Sequence, residues 1–94
     1  MADLFFSSVT DAAKQMISAC LAKNLDEMER IRNYLNGPEH THSMSGTADD
    51  FHNASVQLSR MGFYEQAYTL VAVGNKRYPK NTDLLGDLLV YGMR

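Results

Sequence analysis

The sequence has little of what marks a secreted, membrane-spanning or nucleic-acid-binding protein. It contains one cysteine, so no internal disulfide can form, and this favours a reducing compartment. Its net charge of -2 gives no reason to expect a nucleic-acid surface. No apolar run approaches the roughly 20 residues of a membrane-spanning helix, and the amino-terminal run is too short for a signal peptide. We therefore expect a cytoplasmic protein that binds neither membrane nor nucleic acid.

Motifs for catalysis are also missing from the sequence. It has no glycine-rich phosphate loop and no nucleophile elbow. Its clustered carboxylates, Asp26 with Glu27 and Asp49 with Asp50, lie where helices are expected to begin, so capping accounts for them. We predict no enzyme activity and no cofactor for this chain, and the activity of any longer parent protein stays open.

Two groups of side chains invite a test for a metal or nucleophilic site. His40, His42 and His52, even with Glu39, fall short of the well-placed set of about four ligands that a structural site needs. We expect no metal site, and a flexible polar loop around the first two histidines. Because Cys20 stands on an apolar helix face, we expect a packed thiol rather than a nucleophile.

What the sequence does have is helical periodicity. Apolar residues recur at steps of three and four, without sustained alternation, and this predicts an all-α fold. Capping residues and helix breakers divide the chain at Ser8, Asn24, Gly37-Pro38, Thr47, Gly62, Pro79 and Asn81. They predict a single domain of about five helices over residues 1–94. Its parts are a divergent hairpin (8–36), a loop (37–47), a second hairpin (48–81) and an extra or truncated helix (82–94).

Small and aromatic residues in the predicted helices indicate how the helices pack. A glycine inside a helix costs up to about 1 kcal/mol relative to alanine, so Gly74 indicates a close crossing by the next helix. We expect that helix to pack on the face formed by Ala67, Val71 and Gly74. Four tyrosines raise the question of an aromatic binding pocket: Tyr64, Tyr68, Tyr78 and Tyr91. We expect the first three to fill helix–helix interfaces instead.

The second hairpin contains an ordered set of aromatic, small and turn-forming residues. In chain order these are Phe51, Ala54, Ser55, Leu58, Gly62, Tyr64, Glu65, Ala67, Val71, Gly74 and Pro79. In residue type and spacing the set resembles one tetratricopeptide repeat, a helix-turn-helix unit of about 34 residues. Lys23 to Met28 resembles the turn of such a repeat more weakly, because Met28 replaces the expected alanine. The resemblance implies a short right-handed solenoid of stacked antiparallel hairpins.

Members of this family generally act as binding scaffolds, in which the first helices of successive repeats line a concave groove. The resemblance implies a candidate partner-binding surface at five positions: Asp49, His52, Val56, Ser59 and Arg60. One subgroup of the family binds peptide carboxylates through Lys and Asn side chains. The corresponding positions here hold His52 and Val56, so we do not expect this mode of peptide binding. An ordinary solvated helix face is the other interpretation of the five residues.

The last predicted helix carries more apolar residues than one buried side needs. Residues 84–91 read Leu-Leu-Gly-Asp-Leu-Leu-Val-Tyr, whereas a terminal repeat normally has a polar outer face. We expect a second apolar face, centred on Leu85, Leu89 or Val90. It would be covered by another copy of the chain or by further repeats.

Two functions stay open from the sequence. The first is a protein–protein interaction module, a helical-repeat scaffold or adaptor that binds a protein or peptide. The alternative is an amino-terminal regulatory helical domain, or a fragment, of a larger multidomain enzyme or regulator. A DNA-binding helical domain is disfavoured by the acidic balance and by the lack of clustered Lys and Arg.

Overall fold

The computed structural model describes residues 5–37, 41 and 44–93, and within them the chain forms five helices and no strand. The helices are α1 (Val9–Leu21), α2 (Leu25–Asn36), α3 (Ala48–Arg60), α4 (Tyr64–Arg77) and α5 (Thr82–Gly92). The predicted all-α class is confirmed. In this described part of the chain, every helix is too short or too polar to cross a bilayer.

Local capping explains where most of the helices begin. Four cap side chains each accept a hydrogen bond from the backbone N–H three residues further on: Ser8, Asn24, Thr47 and Asn81. At α3 the cap is reciprocal, because the Asp50 carboxylate accepts from the Thr47 N–H at 2.9 Å. Only local sequence is needed for these bonds, and the predicted starts of these four helices are confirmed.

The turn between α3 and α4 is closed by a left-handed glycine. The Phe63 N–H donates to the Leu58 carbonyl at 2.9 Å, and the Gly62 N–H donates to the Ser59 carbonyl at 3.0 Å. Gly62 has a φ of 86°, a conformation that glycine adopts without steric cost. This is the Schellman arrangement, which ends a helix and reverses the chain.

The turn between α1 and α2 has the same form with a different residue at its centre. The Asn24 N–H donates to the Ala19 carbonyl at 3.0 Å, across Lys23 with a φ of 55°. Lys23 thus occupies in the first hairpin the position that Gly62 occupies in the second. The two hairpins share their turn geometry, 39 residues apart in sequence.

The helices form two layers. α1, α3 and α5 lie in one layer, each packed on the next, and α2 and α4 pack on each other behind them. The Cα atoms extend over 38 × 28 × 17 Å, and the shortest dimension suits two helix layers. The most extensive interfaces are those of α4 with α3 and with α5, whereas the first hairpin joins the second through smaller α1–α3 and α2–α4 interfaces. The second hairpin therefore packs more extensively on α5 than on the first hairpin, whereas a regular solenoid would repeat the same interface. The solenoid stays a prediction.

The hydrophobic core receives side chains from all five helices. Its largest fully buried members are Met16, Ile31, Leu35, Phe51, Leu58, Leu70 and Leu84. At Gly74 an added Cβ would lie 2.8 Å from Cγ of Phe51 and 3.2 Å from Cδ1 of Leu84. The predicted close crossing at Gly74 is therefore confirmed, and it involves the preceding helix α3 as well as α5.

The segment between α2 and α3 is held against the core at the residues that the structure describes. Thr41 and Met44 are buried, and the guanidinium of Arg77 donates to the carbonyl oxygens of both. The backbone of Ser45 bonds to the chain where α1 begins: its N–H donates to the Ser7 carbonyl and its carbonyl accepts from the Val9 N–H, each at 2.9 Å. Thr41 and Met44 are therefore not exposed as a polar loop predicts, and the flexibility of the segment stays a prediction. His40, His42 and Glu39 lie outside the described residues.

Candidate functional site

One side of α3 carries the five predicted partner-binding residues: Asp49, His52, Val56, Ser59 and Arg60. Asp49 and Arg60 are exposed near the two ends of the helix, and Val56 is half-buried between them. Positions 49, 56 and 60 fall on one stripe because they are separated by about two turns and one turn. This stripe faces away from the buried side of α3, which is formed by Phe51, Ala54, Ser55 and Leu58.

The other two of these residues are engaged with α5. Nδ1 of His52 pairs with the carboxylate of Asp87, and the hydroxyl of Tyr91 donates to Oγ of Ser59 at 3.4 Å. Ser59 in turn donates to the carbonyl of Val56 at 2.9 Å. The chain therefore covers one edge of the candidate surface with its own last helix, and the exposed stripe of α3 borders α5 directly.

α5 has one buried side and one exposed apolar side. Leu84 and Tyr91 are buried, whereas four apolar residues on the opposite side are largely exposed: Leu85, Leu89, Val90 and Met93. We call these four residues the outer face of α5. Leu89 is 63% exposed and Met93 is 87% exposed. Gly86 lies among them, and a Cβ added there would have no atom within 4 Å.

A notch of about 370 Å³ opens where the start of α4 meets the end of α5. Its lining residues are Tyr64, Glu65, Tyr68, Tyr91 and Gly92, and we call it the tyrosine notch. Tyr68 is 41% exposed, so it fills the interface between α4 and α5 only in part. A Cβ at Gly92 would lie 3.2 Å from Cε2 of Tyr68, so this ring rests against the end of α5.

Tyr78 behaves as expected and fills an interface. Its ring packs edge-on against Phe51 at a centroid distance of 6.4 Å, and its hydroxyl donates to the Gly46 carbonyl at 2.7 Å. The guanidinium of Arg77 lies 5.6 Å from the centre of the same Phe51 ring. Tyr78 is therefore a structural residue and no part of the notch.

A larger cleft of about 550 Å³ lies between α1 and α3. Ala13, Ile17 and Ala54 give it apolar lining, and Lys14 and Asp50 bring charges of both signs to its walls. Asp50 is already committed to capping α3. The mixture points to no single class of ligand.

Cys20 and the histidines were the other candidates for chemistry. Cys20 is buried, and this burial raises the pKa of its thiol, so the expected packed thiol is confirmed. Among the residues that the structure describes, no three His, Cys, Asp or Glu side chains come together as metal ligands. His40 and His42, which we considered as metal ligands from the sequence, lie outside the described residues.

Comparison with known proteins adds no relative. No protein-family model, curated protein or solved structure matches this chain. The likeness to a tetratricopeptide repeat therefore rests on the residue pattern of 48–81 and on the matching turns at Lys23 and Gly62.

Proposed function

We propose that this chain is a protein–protein interaction module, a tetratricopeptide-like helical scaffold that acts by binding and not by catalysis. The outer face of α5 is the observation that carries the proposal. It presents four large apolar side chains to solvent on one side of a helix. Complete burial of a side chain of this size contributes about 1.5 to 3 kcal/mol, so a few of them favour association.

The occupant that suits this face is a second copy of the chain. A two-fold axis brings a surface against itself, so a charged face would repel its copy. Leu85, Gly86, Leu89 and Val90 carry no charge, and the exposed Asp83, two turns before Val90, lies at the edge of this face. Gly86 also leaves space beside Leu85 and Leu89, into which a side chain of the partner helix would fit.

Sedimentation of the chain at micromolar concentration tests self-association. We expect a dimer or larger species, and we expect Leu89→Glu to weaken it because the substitution places a charge in the buried interface. Leu25→Glu is the matched control, since Leu25 is 72% exposed on α2, away from this face. A monomer at all concentrations, or equal effects of the two substitutions, would overturn self-association through α5.

The exposed stripe of α3 is the place where we propose that a different protein or peptide binds. Asp49, Val56 and Arg60 lie beside α5 without being part of its outer face. We therefore expect this stripe to stay accessible when the chain self-associates through α5, as a scaffold requires.

A further inference from the structure

We infer that the tyrosine notch binds the guanidinium group of an arginine side chain presented by a partner protein. This inference deepens the proposed function, on which it rests, by giving the chemistry of the partner. The notch is separate from the outer face of α5, because its lining residues Tyr91 and Gly92 are not members of that face.

The walls of the notch are aromatic. Tyr64 and Tyr68 contribute from α4, and Tyr91 contributes from α5. The face of an aromatic ring attracts a cation that lies within about 6 Å of its centre. Tyr91 is almost fully buried and bonded to Ser59, so it supplies a fixed wall, whereas the exposed ring of Tyr68 supplies the accessible one.

The polar groups at the notch favour positive charge. Glu65 is the charged residue among those that line the notch. The notch also adjoins the last residues of α5, where backbone carbonyls carry the negative end of the helix dipole. Among the described residues, the last turn of α5 holds no basic residue. The tyrosine rings, the negative charge of Glu65 and the helix dipole of α5 therefore all favour a cation.

A guanidinium fits these groups better than an ammonium does. It is planar, so it stacks on a tyrosine ring while its N–H groups donate to a carboxylate. Glu65 already pairs with one guanidinium, that of Arg32 on α2. Arg32 does not line the notch but approaches from a separate cleft between α2 and α4. Arg32 therefore positions the Glu65 carboxylate and also competes with an incoming guanidinium for it.

Amide NMR of the whole chain provides the test, with three acetylated and amidated tripeptides as probes. Their sequence is Gly-X-Gly, where X is arginine, lysine or citrulline, the uncharged isostere of arginine. We expect the arginine peptide to shift the resonances of Tyr64, Tyr68, Tyr91 and Gly92, with a dissociation constant of about 1 to 10 mM. We expect the lysine peptide to bind more weakly, and the citrulline peptide to bind at least about five-fold more weakly.

Four substitutions assign the binding to the notch. Tyr68→Leu should weaken the arginine peptide about two- to ten-fold, whereas Tyr68→Phe keeps the ring and should keep the affinity. Glu65→Gln should weaken binding. Arg32→Gln should strengthen it about two- to five-fold, because it removes the competing cation. Phe5→Leu, at an aromatic residue that is 67% exposed elsewhere, is the control and should change nothing.

Equal binding of the arginine and citrulline peptides would overturn the inference, and so would a Tyr68→Leu variant of unchanged affinity. Tighter binding of lysine would overturn the assignment to a guanidinium. The sedimentation test uses none of the notch residues, so the two failures are distinguishable. If the chain self-associates but binds none of the peptides, only the inference about the notch is refuted. If the chain is a monomer but binds the arginine peptide, only self-association is refuted.

Discussion

At the scale of single residues, Lys23 and Gly62 carry the sharpest constraint on the backbone. Both have positive φ at the centre of a turn that reverses the chain between two helices. The left-handed region costs a residue with a Cβ roughly 1 to 2 kcal/mol, whereas glycine enters it freely. The first hairpin therefore stores strain at Lys23 that the second hairpin avoids.

Opposite substitutions at these turns should have opposite effects. Lys23→Gly should raise the free energy of unfolding by up to about 1 kcal/mol, since relief of strain exceeds the entropy that glycine adds to the unfolded chain. Gly62→Ala should lower it by about 1 kcal/mol. A Cβ there meets no atom within 4 Å, so strain is the whole effect. Urea denaturation measures both values, and a destabilised Lys23→Gly variant would refute the shared turn geometry.

Cys20 gives a pH dependence whose sign follows from its burial. Burial raises the pKa of the thiol in the folded chain, while an unfolded cysteine ionises at about pH 8.5. Between these two pKa values the unfolded state binds fewer protons than the folded state, so stability falls as pH rises above about 8.5.

The measurement is the slope of the free energy of unfolding between about pH 8 and 9.5. We expect Cys20→Ala to make this slope less negative, although the cavity it leaves lowers stability at every pH. Identical slopes for the two chains would show that the thiol ionises equally in the folded and unfolded states.

At the scale of helices, the crossing of α3, α4 and α5 at Gly74 depends on the absence of a side chain. Phe51 is the neighbour that a new Cβ would strike, and it has little room to move. It is fully buried, with Arg77 over its ring and Tyr78 against its edge. The glycine therefore sets how closely the three helices approach.

Two glycine-to-alanine substitutions separate packing from helix propensity. Gly74→Ala should lower the free energy of unfolding by about 1 to 3 kcal/mol, because overpacking outweighs the gain in propensity. Gly86→Ala, in α5 with open space around it, should raise that free energy by about 0.5 to 1 kcal/mol. Both are measured at a concentration where the chain is monomeric. A stabilised Gly74→Ala variant would contradict the close crossing.

α4 shows why one apolar stripe does not describe a central helix. The sequence predicts a buried face through Ala67, Val71 and Gly74, and all three are buried. Leu70 and Val73 are buried as well, because α4 also packs against α2 in addition to α3 and α5. Periodicity indicates that a helix has an apolar side, but the number of its neighbours depends on the other helices.

At the scale of the whole molecule, the proposed self-association through α5 would make stability depend on protein concentration. If the folded chain pairs and the unfolded chain does not, mass action raises the thermal midpoint as concentration increases. We expect this rise for the natural chain and a smaller one for Leu89→Glu, with the Leu25→Glu control behaving as the natural chain does. Differential scanning calorimetry over a hundred-fold range measures it. A midpoint independent of concentration would contradict pairing of the folded chain.

The sequence by itself determined the α class and most of the helix boundaries. The caps at Ser8, Asn24, Thr47 and Asn81 each act over three residues, so no tertiary contact is needed to predict them. The apolar excess of α5 was visible in the same way, because it depends only on which residue types are consecutive.

Only the tertiary structure decided which distant groups meet. Arg77 reaches the Thr41 carbonyl and His52 pairs with Asp87, over separations of 36 and 35 residues that no local pattern marks. Tyr68 illustrates the reason. Its helical spacing suits a filled interface and an open notch equally, and the position of α5 decides that the ring contacts Gly92 and stays 41% exposed. Spacing along one helix sets the direction of a side chain, whereas the packing of the other helices sets what it meets.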